Sequence, residues 1–343
     1  MRLAWIALLL VLAGCSERRE TLDAEEYLSR LSRILQLETP DLPPQTIVRS
    51  QPKPRALSDT RIAITEALKL GPCGLVPLIA ERNSSLGRQK AASQQFLYEW
   101  ELSVGLAACV EQTPETPDWL QAAQLNKAKD RETALWNLLF ASDTADALHS
   151  SLDSGDASLA DAWERYQVAF VEVRRFALLG LGDKTGPESA QKSAFESALA
   201  TLESTRVHGQ LRRLTLDTLT LLHTANEVQA QRLAKPTLCP LGTPTEQGRR
   251  LQSFVTTYFA TTVQPHLADI QRYQRALDAL WNPIAKPLEL PNTLEARLDQ
   301  LLQLPAGTHA TYSAAMSTHI RHWQDLLSAC GLSPARATTN SYD

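Results

Sequence analysis

Six apolar side chains, Leu159, Trp163, Tyr166, Phe170, Val173 and Ala177, recur at steps of four, three, four, three and four residues. Only an α-helix, at 3.6 residues per turn, gathers such a set on one face, and a face this apolar must be covered by other elements. The spacing returns in Tyr27, Leu28, Leu31, Ile34 and Leu35, in Phe96, Leu97, Trp100, Val104 and Ala108, and in Ile270, Tyr273, Leu277 and Leu280. Thr21 is placed to cap the first of these helices, with Asp23, Glu25 and Glu26 in its first turn favouring the helix dipole. Glycine is scarce, 14 residues in 343, while Ala, Leu, Gln, Glu and Arg are plentiful, which favours helix over sheet. The reading is an all-α fold: an irregular multi-helix bundle of roughly ten helices with an extended Pro-rich N-terminal strap.

The punctuation of the chain refines this. Pro40, Pro43, Pro44, Pro52 and Pro54 make an extended, polyproline-like strap that either crosses the domain surface or links it to the first helix. A proline-rich ligand for a partner is the other use of such a run. Ile62, Ile64, Leu68 and Leu70 open a helix that ends at Gly71-Pro72, and Gly180, Gly182 and Gly186 end the helix that begins at Leu159. A long helix is expected from about Glu188 to Leu233, bending near Gly209, because the five-residue step from Leu202 to Val207 shifts its stripe. Phe254 to Pro265, FVTTYFATTVQP, is rich enough in β-branched and aromatic residues for a strand, but no partner strand is visible. A helix kinked at Pro265 is preferred. Pro283, Pro287 and Pro291 read as a connector before two last helices near Leu294–Leu304 and Thr311–Cys330. Most tryptophans fall on helical stripes and read as core, and no repeat of solenoid period is present.

The front end addresses the chain. After Arg2 an uncharged run extends from Leu3 to Gly14, too short for a bilayer, which needs about 20 apolar residues. A basic start, a short apolar core and small residues before a boundary make a secretory signal. Leu12-Ala13-Gly14-Cys15 resembles the bacterial lipobox, whose cysteine is acylated with palmitate-type chains and becomes the new N-terminus. An ordinary signal with a chance cysteine is the plainer alternative. Each buried methylene contributes about 0.8 kcal/mol, so two or three chains hold firmly where one holds marginally. Ser16, rather than Asp, resembles the pattern sorted to the outer membrane. Ser16 to Glu20 span at most about 18 Å, which keeps the body close to the bilayer.

The resulting organisation is a lipoprotein signal peptide over residues 1–14 and a lipidated N-terminus with short helix and strap over 15–57. A helical domain over 58–333 and a flexible tail over 334–343 follow. The expected location is the cell envelope, lipid-anchored and facing the periplasm; the expected partners are the membrane, through the lipid, and an envelope protein. The chain carries 34 Lys and Arg against 38 Asp and Glu, a net charge of −4, and losing Arg2 with the leader makes it −5. That balance argues against nucleic acid, which needs concentrated positive charge.

Cys73, Cys109, Cys239 and Cys330 remain after Cys15. An even count in an exported chain points to disulfides, and four cysteines allow three pairings. Proximity favours Cys73–Cys109, tying adjacent helices, and Cys239–Cys330, stapling a late loop to the C-terminal helix. A metal site is the rival, but the cysteines are far apart and no C-x-x-C occurs.

Chemistry is harder to find. The stretch CGLVPLIAERNSSLGR sets Glu81, Arg82, Asn83, Ser85 and Arg88 together behind an apolar segment. Two arginines, hydroxyls and turn amides suit a small anion. The same residues also serve as caps, a turn and an internal ion network, the bland reading. His319 and His322 stand three apart without a nearby carboxylate to complete a metal set, so they read as ordinary surface histidines. Arg212-Arg213 and Arg249-Arg250 read as solvated pairs; near a bilayer each would gain about 1 kcal/mol from anionic head groups. Nucleophile-elbow, Walker and His-Glu-x-x-His patterns are absent, so no cofactor, metal or catalytic residue is assigned. The favoured reading is a non-enzymatic binding or interaction module of unknown molecular function. The alternatives are an enzyme or small anionic-ligand binder at Glu81–Arg88, and a passive structural element of the envelope.

ERNSSLGR behind CGL, the lipobox, the length and LYEWE at Leu97–Glu101 together resemble an uncharacterised bacterial lipoprotein family, domain of unknown function 3080. The resemblance covers nearly the whole chain. It implies export, lipidation and a single helical domain, and supplies no catalytic residues.

Overall fold

The computed structural model describes residues 22–60, 62, 64–84, 90–150, 158–182 and 185–332. Among them the fold is all-α, without a strand. The helices are α1 Ala24–Leu35, α2 Ile64–Lys69, α3 Val76–Asn83, α4 Ala92–Gln112, α5 Asp118–Phe140, α6 Asp143–His149 and α7 Leu159–Gly182. Then come α8 Ser189–Thr205, α9 Val207–Leu233, α10 Glu246–Phe254, α11 Gln264–Ala285, α12 Leu294–Leu301 and α13 Thr308–Ser328, with a π-helical stretch at Val255–Val263. No described helix is long and apolar enough to cross a membrane. The chain divides into two compact units. Of the described residues, unit 1 holds those up to Leu42, Thr224–Ala268 and those from Arg321 to Leu332; unit 2 holds those within Pro43–His223 and Asp269–Ile320. The division falls within α9, α11 and α13.

Unit 2 is built on the stripe of α7. Trp163, Tyr166, Phe170, Val173 and Ala177 are buried, and only Leu159, at the helix start, is partly open. Phe176 stacks on Phe195 with ring centroids 4.3 Å apart and meets Trp100 edge-on at 5.0 Å. Such aromatic pairs contribute beyond their buried area. The helix runs through Gly180, which does not end it. A Cβ there would stand 2.6 Å from Phe96 Cζ, so this glycine serves close packing. In α4 five successive residues, Phe96 to Trp100, are buried. A helix enclosed on all sides there must satisfy Glu99 inside the protein.

Helices α8 and α9 replace the single long helix expected from the sequence. Arg206 takes a left-handed conformation, φ 52°, between them. The five-residue step from Leu202 to Val207 therefore marks a break at Arg206, not a bend at Gly209. Gly209 has a different task. A Cβ on it would run into the Ser150 carbonyl and stand 2.8 Å from the His149 carbonyl oxygen. Backbone atoms yield poorly, so Gly209→Ala is expected to cost about 2 kcal/mol, as over-packing does. The check is a lower urea midpoint; an unchanged midpoint would show that the 149–150 segment moves freely.

From Pro43 to Thr60 the chain is extended and crosses the surface of unit 2. The Gln45 amide donates to the Leu216 carbonyl at 3.0 Å and to Thr220 Oγ1. Ser50 N–H donates to the Gln303 carbonyl at 3.0 Å, and Gln51 to Asp146 at 2.7 Å. Arg55 and Asn137 exchange two hydrogen bonds, at 2.7 and 2.9 Å, while the Arg55 guanidinium lies over the Trp136 ring and meets Glu289. An extended segment has no internal hydrogen bonds, so these partners supply what a ladder otherwise would.

In unit 1 the cap of α1 is Asp23, whose carboxylate accepts from Glu26 N–H at 2.9 Å. Tyr27 stacks on Phe254 and Tyr258, and Trp323 packs against Phe254 and Phe259. The FVTTYF stretch is helical, as preferred, but π-helical, and Gln264 N–H reaches the Phe259 carbonyl five residues back. Thr256, Thr257 and Thr261 send their hydroxyls to carbonyls four residues earlier. Threonine back-bonding of this kind bends helices and accompanies the change of winding here. Pro265 follows as the second residue of α11, inside a helix that runs unbroken from Glu246 through the π-helical stretch, so it withholds one N–H from that ladder. Pro283 lies inside α11, so the connector begins after Ala285, not at Pro283.

Candidate functional site

The segment singled out for an anion is α3 and the turn behind it. Glu81 and Asn83 are exposed and Arg82 partly so; Ser85 and Arg88 lie outside the described residues. Lys90 meets the Glu81 carboxylate at 2.9 Å and holds its pKa below the ordinary value. The Arg82 guanidinium and the Lys90 ammonium both face the Tyr98 ring, at 5.8 and 5.5 Å from its centroid. Burial, with the charge of Glu99, pushes the Tyr98 hydroxyl pKa upward. Cations over an aromatic face gain modestly. The structure thus joins Glu81 and Arg82 to Lys90 and Tyr98, a clamp on α4.

Both expected cysteine pairs stand at disulfide distance. Cys73, in the turn before α3, and Cys109 of α4 have Cα atoms 5.4 Å apart. In unit 1, Cys239 and Cys330 are 4.9 Å apart and lie directly on Gly248, where a Cβ would sit 2.6 Å from the Cys239 sulfur.

Two buried polar sets in unit 2 went unread in the sequence. In the first, Lys127 Nζ stands 2.7 Å from Asp130 Oδ2 and 3.2 Å from Glu99 Oε2, all three side chains nearly sealed from water. Ser58 of the strap donates its N–H and its hydroxyl to the Asp130 carboxylate, at 2.7 and 2.6 Å. Burial drives the Glu99 pKa up against the pull of Lys127.

The second set lies where α6, α7, α9 and α11 bring side chains together. Trp281 Nε1–H donates to Tyr166 Oη at 2.8 Å, and that hydroxyl is 2.9 Å from His208 Nε2. The His208 ring meets His149 edge-on at 4.9 Å. Arg212 Nη2 donates to the His149 carbonyl at 2.6 Å. Burial pushes the His208 pKa down to about 3, with a hydrogen bond to the Leu301 backbone pulling upward and Arg212 adding repulsion. His149 is driven well below its ordinary value by burial, then by His208, Arg212 and Arg49. Burial, with Arg49 beside it, leaves the Arg212 pKa pushed down to about 10. These groups can donate hydrogen bonds and present one fixed positive charge.

Arg212 is a correction to the expected solvated pair: it is 1 % exposed, while Arg213 faces solvent and pairs with Asp217. The sign was present in the sequence. His208, Arg212 and Thr215 follow at i, i+4 and i+7, in phase with Val207 and Leu211, so the inward face of α9 mixes polar with apolar side chains. His319 is likewise buried, not a surface histidine, and His322 is partly exposed. Arg249 and Arg250 are exposed as expected. Among the described residues no three His, Cys, Asp or Glu side chains are grouped to hold a metal.

No curated protein and no solved structure matches the chain. A family model described as Protein of unknown function (DUF3080) matches residues 24–334, a span that contains the clamp, both cysteine pairs and both buried sets. The chain belongs to the DUF3080 family.

Proposed function

We propose that this protein is a lipid-anchored, non-enzymatic binding module of the bacterial cell envelope, held through Cys15 at the outer membrane and facing the periplasm. The observation that carries the reading is the leader: one basic residue, an uncharged run and a lipobox-like Leu12 to Cys15. Two cysteine pairs at disulfide distance support an oxidising compartment. With α1 beginning at Ala24, residues 16–23 span at most about 28 Å, a short reach that supports a body held close to the bilayer. The Glu81–Arg88 turn is the weaker candidate for a ligand, because Lys90 already occupies the Glu81 carboxylate and Arg82 lies over Tyr98.

Mass spectrometry of protein purified from membranes tests the anchor. The expected N-terminal peptide begins at Cys15 and carries acyl chains; a free thiol at Cys15 or a retained leader overturns it. Crosslinking in intact envelopes is expected to trap one envelope protein reproducibly, and its absence counts against the binding role.

A further inference from the structure

We propose that unit 2 holds a small oxyanion, of the carboxylate or phosphate kind, against Arg212 and His149 beneath the strap. Arg212 is 1 % exposed and makes one hydrogen bond, to a carbonyl; its Nε and Nη1 have no partner. Among the described residues no carboxylate stands within ion-pair distance of it. The other charge acting on it is Arg49 of the strap, of the same sign. An uncompensated buried charge is strongly destabilising, and neutral acceptors alone rarely offset it. The guanidinium does not escape by losing its proton, since its pKa stays well above neutrality. An oxyanion supplies what the chain omits: a negative charge and acceptors for the idle N–H groups.

The surroundings suit that ligand. His149 Nδ1 is buried without a partner, and so are both ends of the Gln303 amide. The Gln303 carbonyl takes the Ser50 N–H, which seats the neighbouring Arg49 at this part of the surface. Arg49 is itself exposed, a second cation placed to draw an anion in. Gly209 lets the His149 and Ser150 carbonyls lie against α9, which fixes Arg212 in this orientation. With so little of Arg212 open, the ligand is small, of the size of formate, acetate or inorganic phosphate. The inference is independent of the lipid anchor.

Thermal unfolding of the full chain decides it, with formate or inorganic phosphate titrated at ionic strength held constant with sodium chloride. At a hundredfold excess over Kd the midpoint is expected to rise by about 4 °C. R212M is expected to melt no lower than the wild type in chloride and to lose the rise. R49Q is expected to need at least fivefold more anion for the same rise. A smaller carboxylate response with a full phosphate response assigns the phosphate kind, and the reverse the carboxylate kind. An equal rise in wild type and R212M would mean general salt exclusion, and overturns the site. So does an R212M that melts well below wild type in chloride, because Arg212 then has a partner within the chain. If R212M fails to fold, an unchanged response in R49Q overturns the proposal.

Discussion

Replacing Lys127 with methionine is expected to lower folding stability by about 4 kcal/mol. Its ammonium stands between two carboxylates that have almost no other access to a counter-charge, Asp130 at 2.7 Å and Glu99 at 3.2 Å. Without it, Glu99 takes up a proton, the direction in which its burial already drives it. Asp130 keeps the two donors of Ser58, yet remains a buried anion without a cation. Methionine restores the volume, so the loss reads the charge and not a cavity. The measurement is the urea midpoint, with E99Q/K127M recovering part of the deficit because a neutral amide at 99 no longer has to take up a proton on folding. A loss below about 1 kcal/mol would place this set among the many ion pairs that contribute little.

Acidification from pH 7 to pH 4.5 is expected to remove about 5 kcal/mol through His149 and His208 together. Both imidazoles are held neutral in the fold, His208 down to about 3 and His149 well below its ordinary value. Once unfolded, each takes a proton near pH 6.5. Below that pH the unfolded chain binds more protons, so stability present in full above about 6.5 falls as pH falls, by up to about 1.4 kcal/mol per unit and per ring. The decline stops for His208 only as pH reaches its folded pKa. Arg212, Arg49 and the Tyr166 hydroxyl surround the pair, and no described carboxylate faces it to ease protonation. Glu99 acts in the opposite sense, since a raised carboxyl pKa favours the fold as pH drops. The comparison of urea midpoints at pH 7.5, 6 and 5 between wild type and H149Q/H208Q isolates the two rings. Parallel slopes in the two proteins would sink the assignment.

Periodicity made the α7 stripe legible because its inward residues are apolar letters at a helical interval. The same method failed on α9, where His208, Arg212 and Thr215 hold inward positions that an apolar count skips. Nothing local to Arg212 says that a carbonyl 63 residues away will meet it. The cysteine pairing was readable because proximity left one economical choice. The π-helical winding at Val255–Val263 was not, since threonine-rich runs carry strand propensity and reveal their hydroxyl back-bonds only once helical. Pro283 misled for a related reason: a proline in the last turn forfeits one hydrogen bond, which α11 tolerates.

The strap sets an order of events. Its partners are distant along the chain: Asn137 is 82 residues from Arg55, Leu216 is 171 from Gln45, and Glu289 is 234 from Arg55. Synthesis delivers the amino end first, so Pro43 to Thr60 must wait, solvated and unpaired, until most of the polypeptide has emerged. The earliest part of unit 2 to be made is thus among the last to dock, and its docking reports that the rest is in place.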